Sequence, residues 1–231
     1  MEKQKLIQKP ILLENRKELT EEEFRKLFEI EFKGLIGKDF IHNENSRAYL
    51  DILINYFYKN DKFYDSDILI KNLNTPSLDK GLLIIGNPGI GKSLVLKTFF
   101  TIFEKKCVFN PLYRFRMKNS KEIILQYESK EDYINNEDFF KSFITGFLMI
   151  DDVKAEDEAF KYGKKNLLND ILYFRYENSA RTIITCNYDE KYPNDIEKAI
   201  DEFGTKYDGR IYDRLFEMCN IIEAKDFKSL R

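Results

Sequence analysis

The chain has little of several residue types on which common functional classes depend. Its 231 residues include no tryptophan, one histidine (His42) and three cysteines, Cys107, Cys186 and Cys219. A single histidine and the lack of paired-cysteine spacing argue against a structural zinc site. The cysteines are odd in number, far apart and set in apolar runs. We therefore expect reduced core thiols in a cytoplasmic protein.

Long apolar runs and an excess of charge of one sign are also missing. No stretch approaches the roughly 18 apolar residues of a membrane span, and the first residues lead to no apolar signal segment. The chain carries 38 Lys and Arg against 40 Asp and Glu, for a formal net charge of −2. We expect no membrane segment, and any contact with nucleic acid must come from a local patch. The length favours one substantial domain with an appendage.

What the sequence does contain is a glycine-rich stretch directly after a short apolar run. Residues 86–93 read Gly-Asn-Pro-Gly-Ile-Gly-Lys-Ser and follow Gly-Leu-Leu-Ile-Ile at 81–85. They match the phosphate-binding loop G-x-x-x-x-G-K-[ST] in the strand, loop and helix context that it requires. Glycines let consecutive N–H groups turn inward toward an anion at a helix N-terminus. The alternative is a glycine-rich turn whose lysine is only solvated.

The phosphate-loop interpretation assigns a task to each residue type in the stretch. Lys92 would place its ammonium on the β- and γ-phosphates, and the Ser93 hydroxyl would help to hold Mg²⁺. The predicted cofactors are therefore ATP or ADP and Mg²⁺. The residues predicted to bind the nucleotide are Gly86, Asn87, Pro88, Gly89, Ile90, Gly91, Lys92, Ser93 and Leu94. A GTPase is disfavoured, because residues 185–189 lack the Asn-Lys-x-Asp guanine reader.

A second apolar run, at residues 147–150, ends in the acids Asp151 and Asp152. A strand that ends in a carboxylate beside a phosphate loop is the Walker B arrangement. Asp151 would then join Ser93 as a metal-site residue, and Asp152 would orient the attacking water. The alternative is a pair of solvated acids at the end of a strand.

Two further features lie downstream. The strand predicted at residues 182–186 ends at Asn187, whose amide can bind a γ-phosphate or position the water; the alternative is a turn-forming asparagine.

In the helix predicted at residues 209–218, Arg210 and Arg214 are four positions apart and share a face. Two guanidiniums suit a phosphate presented by a neighbouring subunit. Taken alone, solvated ion pairs with nearby acids are the more common outcome.

Together these blocks resemble the DnaC/IstB-like branch of the AAA+ ATPases. The resemblance covers roughly residues 40–225 and rests on five blocks in family order, at 86–93, 150–156, 162–163, 175–187 and 209–218. It implies an ATP-dependent oligomerising switch that loads a replicative helicase on DNA or assists a transposase. By position it implies Lys92 and Ser93 as Walker A, Asp151 and Asp152 as Walker B, Asn187 as sensor 1, and Arg214 as the arginine finger with Arg210 as its companion.

The resemblance also implies a fold. We expect an α/β protein with the three-layer P-loop AAA+ fold, a central parallel sheet, a short helical N-terminal extension and no C-terminal helical lid. Residues 1–38 are predicted to form an arm and a helix that can bind a partner, and residues 39–231 the ATPase domain. The family usually has glycine after the acid pair and the next apolar residue, where this chain has Lys154.

Several element boundaries are predicted as well. The capping box at residues 20–23 predicts the start of a first helix, ended by Gly34 and Gly37. A second helix is predicted over residues 45–59. Further predictions are a linker at residues 61–80, extended chain at residues 107–109 and 113–117, and helices at residues 134–143 and 193–203.

The 113–118 segment is a candidate contact for single-stranded DNA, because basic and aromatic residues alternate along it. The residues concerned are Tyr113, Arg114, Phe115, Arg116 and Lys118. The alternative is an ordinary edge strand with solvated charges.

The function expected from these observations is that of a cytoplasmic AAA+ ATPase of DNA replication. It would form a homo-oligomer on single-stranded DNA when ATP is bound, with a replicative helicase or a transposase as partner. Slow hydrolysis would use Asp152 and Asn187 of one subunit and Arg214 of the next. Two alternatives stay open: an IstB-like transposition helper, and a nucleotide-gated adaptor with little hydrolysis. The adaptor is considered because Asp152 is one methylene shorter than the usual glutamate.

Overall fold

The computed structural model of the chain describes residues 19–106, 113–129, 136–160 and 163–225. The helices are α1 (Glu21–Ile36), α2 (Glu44–Phe57), α3 (Lys92–Lys106), α4 (Ser120–Glu128), α5 (Asn136–Ile144), α6 (Leu167–Glu177), α7 (Ile196–Lys206) and α8 (Gly209–Met218). The strands are β1 (Leu69–Ile70), β2 (Gly81–Ile85), β3 (Arg116–Asn119), β4 (Leu148–Val153), β5 (Ala159–Phe160), β6 (Lys164–Lys165), β7 (Thr182–Cys186) and β8 (Cys219–Glu223). A short 3-10 helix spans Asp61–Asp65.

Six of these strands form one sheet in the order β1, β8, β2, β7, β4, β3. Five of them run parallel, and β1 pairs antiparallel with β8 at one edge. The expected central parallel sheet is therefore confirmed. Because the carboxyl ends of parallel strands meet at the same edge, the segments that follow β2, β4 and β7 come together there.

Helices cover both faces of the sheet. Successive residues of β2 alternate between two core clusters: Leu82 and Ile84 pack with α1, α2 and α3, whereas Leu83 and Ile85 pack with α4 to α8. All of β2 is buried, as expected of a strand covered on both sides. The result is the three-layer α/β arrangement that the resemblance implied.

Helix α1 begins where the capping box predicts. The Thr20 hydroxyl accepts a hydrogen bond from the Glu23 amide at 3.2 Å, and the Glu23 carboxylate accepts from the Thr20 amide at 2.9 Å. The helix passes through Gly34 and ends at Gly37, whose φ of +74° lies in the left-handed region. Of the 1–38 segment, residues 1–18 lie outside the described residues, and partner binding by this segment stays a prediction.

Three element predictions need correction. Residues 61–80 are more than a linker, because they contain the 3-10 helix and β1, which extends the sheet. The extended segment predicted at 113–117 becomes a strand at Arg116–Asn119, where the backbone pairs with Leu148–Asp151 of β4. Helix α7 starts later than predicted, since Asp195 caps it by accepting from the Lys198 amide at 3.0 Å. The prediction at 107–109 lies outside the described residues.

The cysteines that can be placed are free thiols in the core. Cys186 and Cys219 are both buried. Burial raises the pKa of Cys186 to about 11 and that of Cys219 to about 12, so both are protonated and unreactive at neutral pH. Cys107 lies outside the described residues. Among the helices described, none combines the length and the apolarity needed to cross a bilayer.

Candidate nucleotide-binding site

The glycine-rich loop connects β2 to α3 at the carboxyl edge of the sheet. Gly89 and Gly91 have φ angles of +81° and +97°, which side chains with a Cβ rarely adopt. Gly86 is needed for a different reason: a Cβ there would lie 2.4 Å from the carbonyl oxygen of Ala224. The loop therefore depends on its glycines both for its turn and for the close approach of the chain after β8.

Lys92 lies across this loop and is only 6% exposed. Its Nζ donates to the carbonyl oxygens of Gly86 at 2.6 Å and Asn87 at 2.9 Å, and to Oδ1 of Asn187 at 2.9 Å. The predicted phosphate-binding lysine and the predicted sensor amide thus contact each other directly. An ammonium held by neutral oxygens keeps a positive charge at the point where a phosphate group would enter.

Ser93 and Asp151 form the second pair of the site. Ser93 Oγ donates to Asp151 Oδ1 at 2.5 Å, and Thr185 Oγ1 donates to the same oxygen at 2.5 Å. A serine hydroxyl beside a carboxylate is a hard-oxygen donor set of the kind that Mg²⁺ prefers, with water and phosphate completing the octahedron. The residues present therefore fit the predicted metal.

Asp152 lies at a strained backbone position just before β4 ends. Its φ is +57°, and a non-glycine residue held in the left-handed region costs on the order of 1–3 kcal/mol. The Asp152 amide donates to Thr185 Oγ1 at 3.0 Å, and its Oδ1 accepts from Asn187 Nδ2 at 3.2 Å. The carboxylate is thereby directed to the same edge as Asn187.

Sequence reasoning missed Thr185 and Tyr49. Thr185 joins the two acids, because it donates to Asp151 and accepts from the Asp152 amide. The available signal was a hydroxyl near the carboxyl end of β7, two residues before Asn187. Tyr49, in the second helix, donates its buried hydroxyl to the Lys92 carbonyl at 3.2 Å. Burial, together with the charge of Asp151, raises the Tyr49 pKa well above its usual value.

These groups line a cavity of about 580 Å³. Its walls include Gly89, Lys92, Ser93, Asp151, Asp152, Thr185 and Asn187, together with Leu35 and Ile36 from the end of α1. The volume lies within the range of small-molecule and cofactor sites. Helix α1 was predicted as part of an extension, and its last turn nevertheless forms one wall of the candidate site.

The two arginines of α8 do not line this cavity. The Arg210 side chain is 73% exposed and pairs with Asp208 at 3.3 Å. Arg214 is 18% exposed; its guanidinium lies over the rings of Tyr173 and Tyr176, at 4.3 and 4.5 Å, and pairs with Glu177 at 3.3 Å. Their action on a neighbouring subunit's nucleotide stays a prediction.

The predicted stacking of DNA bases on Tyr113 and Phe115 is wrong, because both rings are in the core. Their exposed fractions are 9% and 3%. The Tyr113 ring stacks on Phe103 at 4.9 Å, and the Phe115 ring stacks on Phe57 at 5.7 Å. The guanidinium of Arg116 binds the carbonyl oxygens of Ser142 and Thr145. The segment leads into β3, which is an edge strand of the sheet.

Lys154 occupies a left-handed turn, a conformation more usual for glycine. Its φ is +79°, so the backbone is left-handed although the residue carries a side chain. Its Nζ donates to the Ala199 carbonyl at 3.0 Å and pairs with the Glu202 carboxylate. These contacts stabilise a backbone conformation that would otherwise favour glycine.

The fold and this site together define a class. A parallel sheet with a phosphate-type loop after one strand, two acids on the second and an amide after the third is an arrangement of the P-loop type. No family model matches the sequence, and no curated protein matches it.

Solved structures with the same fold were found. A structure described as the DnaC helicase loader is 22% identical, with a TM-score of 0.56, and covers 80% of this chain and 92% of its own. A structure of DnaI is 17% identical, with a TM-score of 0.50, and covers 80% of this chain and 87% of its own. The chain thus has the fold of the DnaC/DnaI-like AAA+ ATPases.

Proposed function

We propose that this chain binds Mg-ATP in the cavity between the glycine-rich loop, β4 and β7, and hydrolyses it. The observation that carries the proposal is the convergence of Lys92, Ser93, Asp151, Asp152 and Asn187 on one cavity. Bound Mg-ATP would supply the transferable γ-phosphoryl group and a cation that neutralises its charge.

The chain's own groups divide the remaining tasks. Lys92 would exchange its bonds to the loop carbonyls and Asn187 for phosphate oxygens. The Ser93 hydroxyl and the Asp151 carboxylate would hold the metal between them. Asp152 and Asn187, which already contact each other, would position a water molecule.

We further propose that this activity serves DNA replication by loading a replicative helicase on single-stranded DNA. Support comes from the five sequence blocks and from a fold shared with a protein described as a helicase loader. An IstB-like role beside a transposase fits the same blocks. A nucleotide-gated adaptor is favoured by one specific feature, the acid at position 152, whose side chain is a methylene shorter than glutamate.

The binding site is tested by the substitution Lys92→Ala. We expect ATP affinity to fall by at least about 100-fold, because the variant loses a charge-assisted contact to phosphate in a buried setting. Titration with a fluorescent ATP analogue measures the affinity. Lys105→Ala, on the exposed end of the same helix, is the control and should bind as the unmodified chain does. Tight ATP binding by the Lys92 variant would contradict the site.

The enzyme and adaptor alternatives differ in turnover. An ATPase of this class should release phosphate steadily and faster with single-stranded DNA, whereas an adaptor should bind ATP and release almost none. Phosphate release by the unmodified chain, with and without an oligonucleotide, separates them. To identify the client, the Asp152→Asn variant is mixed with ATP, labelled single-stranded DNA and either a purified replicative helicase or a purified transposase. The client is the protein that this variant retains on the DNA.

A further inference from the structure

The turn formed by residues 152–156 follows the acid pair of the site and contacts helix α7. At its first residue, the Asp152 carbonyl accepts from Ser120 Oγ at 2.8 Å and from the Ala155 amide at 3.2 Å. The positive φ angles at Asp152 and Lys154 mean that this turn holds its shape only while its surroundings impose it. What holds the turn therefore bears on where the Asp152 carboxylate points.

The Lys154 side chain makes the first connection to α7. It is 5% exposed, and its ammonium both pairs with Glu202 and donates to the Ala199 carbonyl. Its backbone amide donates to the Tyr207 hydroxyl at 3.2 Å. Lys154 therefore binds α7 through its side chain and the residue after α7 through its backbone.

A second set of contacts runs in parallel. Lys206 Nζ donates to the carbonyl oxygens of Lys154 at 2.5 Å and of Glu156 at 2.6 Å. The Glu156 carboxylate, almost completely buried, accepts from the Tyr207 hydroxyl at 2.7 Å and lies 3.4 Å from Lys206. The middle and the end of the turn, at Lys154 and Glu156, are thus attached to Lys206 in the last turn of α7 and to Tyr207 directly after it.

Helix α8 begins directly after these contacts. Asp208, next to Tyr207 in the chain, caps α8 by accepting from the amides of Arg210 at 2.7 Å and Ile211 at 3.1 Å. Two partly buried charged attachments and one cap therefore link the acid pair to the helix that carries Arg210 and Arg214. Hydrogen-bonded networks packed between elements in this way have discrete arrangements and do not deform continuously.

We propose that Lys154 is a positioning residue that couples the nucleotide site to α8. Occupation of the site changes the setting of Asp152, and the 152–156 turn carries this change through Lys154 and Glu202 to the helix with the two arginines. The inference rests on the proposed nucleotide function. Glycine at position 154 would keep the left-handed turn and the backbone contacts with Lys206 and Tyr207. It would remove only the side-chain attachment to Ala199 and Glu202, so the turn and this attachment can be separated.

The test compares Lys154→Gly with the unmodified chain by amide hydrogen exchange. Both are measured with and without a non-hydrolysable ATP analogue and Mg²⁺, at a concentration where light scattering shows monomers. In the unmodified chain we expect slower exchange in the loop at 86–93 and altered exchange in α8. In Lys154→Gly the loop should respond as before, and the response of α8 should shrink by about fivefold or more.

Glu202→Gln supplies a second variant that removes the ion pair without touching the turn, and it should behave as Lys154→Gly does. The control is Lys198→Gln, which breaks an exposed pair with Asp201 on the same helix and should leave both responses unchanged.

If the exchange response of α8 persists in both variants, the coupling is overturned. It is also overturned if the loop of the unmodified chain responds and α8 does not. Both outcomes leave the proposed function standing. Loss of the loop response in the variants indicates a structural role and also overturns it. No loop response in the unmodified chain refutes the proposed function and this inference with it.

Discussion

At the scale of single residues, Arg175 shows how much one side chain can organise. It is fully buried in α6, and burial, with the nearby charge of Arg116, lowers its pKa to about 9. It stays charged at neutral pH. Its guanidinium is satisfied by neutral acceptors: Thr182 Oγ1 and the carbonyl oxygens of Phe143, Thr145, Gly146 and Arg181. It therefore joins the end of α5 to the starts of β4 and β7.

We predict that Arg175→Met destabilises the fold by about 3 kcal/mol or more, because several buried carbonyl groups lose their donor at once. Urea unfolding followed by circular dichroism measures the change. Arg47→Ala, at an exposed position of α2, should change stability by less than about 0.5 kcal/mol. A small effect at position 175 would mean that the carbonyl groups find other donors.

At the scale of elements, α1 belongs to the core of the fold. The Phe24 ring lies 4.6 Å from Phe99 of α3 and the Phe28 ring 5.9 Å from it, and Phe32 is also buried. The last turn of the same helix forms a wall of the candidate site's cavity through Leu35 and Ile36. Packing of α1 and the shape of the site are thus connected.

A pair of substitutions on this helix tests the point. We predict that Phe28→Ala lowers the free energy of unfolding by about 3–5 kcal/mol, since a completely buried ring is replaced by a cavity. Ile30→Ala, two residues away and 65% exposed, should have an effect below about 0.5 kcal/mol. Thermal or urea denaturation of both variants provides the comparison. Similar stabilities would show that α1 contributes little to the core.

At the scale of the whole molecule, one cavity brings together a lysine, a serine and aspartate that could hold a metal, a second aspartate and an asparagine. Both arginines of α8 lie away from this cavity. Arg214 rests between Tyr173 and Tyr176. If Arg214 serves the nucleotide of a second copy of the chain, it must leave or extend beyond these rings during assembly. The second copy then completes the site.

Mixing two inactive variants tests this shared site. Arg214→Ala subunits keep their own acid, and Asp152→Asn subunits keep the arginine. We predict that each alone hydrolyses ATP at least about tenfold more slowly than the unmodified chain, and that a mixture recovers activity above the sum of the two. Phosphate release at fixed total protein measures it. A strictly additive mixture would exclude action between subunits. Arg47→Ala mixed with Asp152→Asn serves as the control for dilution.

The sequence by itself determined the features that depend on neighbouring residues. The loop at 86–93, the acids at 151 and 152 and the amide at 187 are readable because each follows a short apolar strand, and parallel strands place their ends together. The capping box of α1 is local in the same way. Boundaries such as the start of α7 were less exact, because Asp195 and the earlier Pro193 are both acceptable starts.

Only the tertiary structure decided the features that depend on partners distant in sequence. Thr185 joins two acids of another strand, and Arg175 binds carbonyl groups from two segments, at 143–146 and 181. Lys154 holds a glycine-type turn through its contacts with α7. The same reason explains the error at 113–118, where the aromatic rings turned into the core and Arg116 bound the end of α5. The amino-acid sequence shows which residues share a face or an end of one helix or strand. Burial and hydrogen bonding between elements depend on how the sheet and its helices pack.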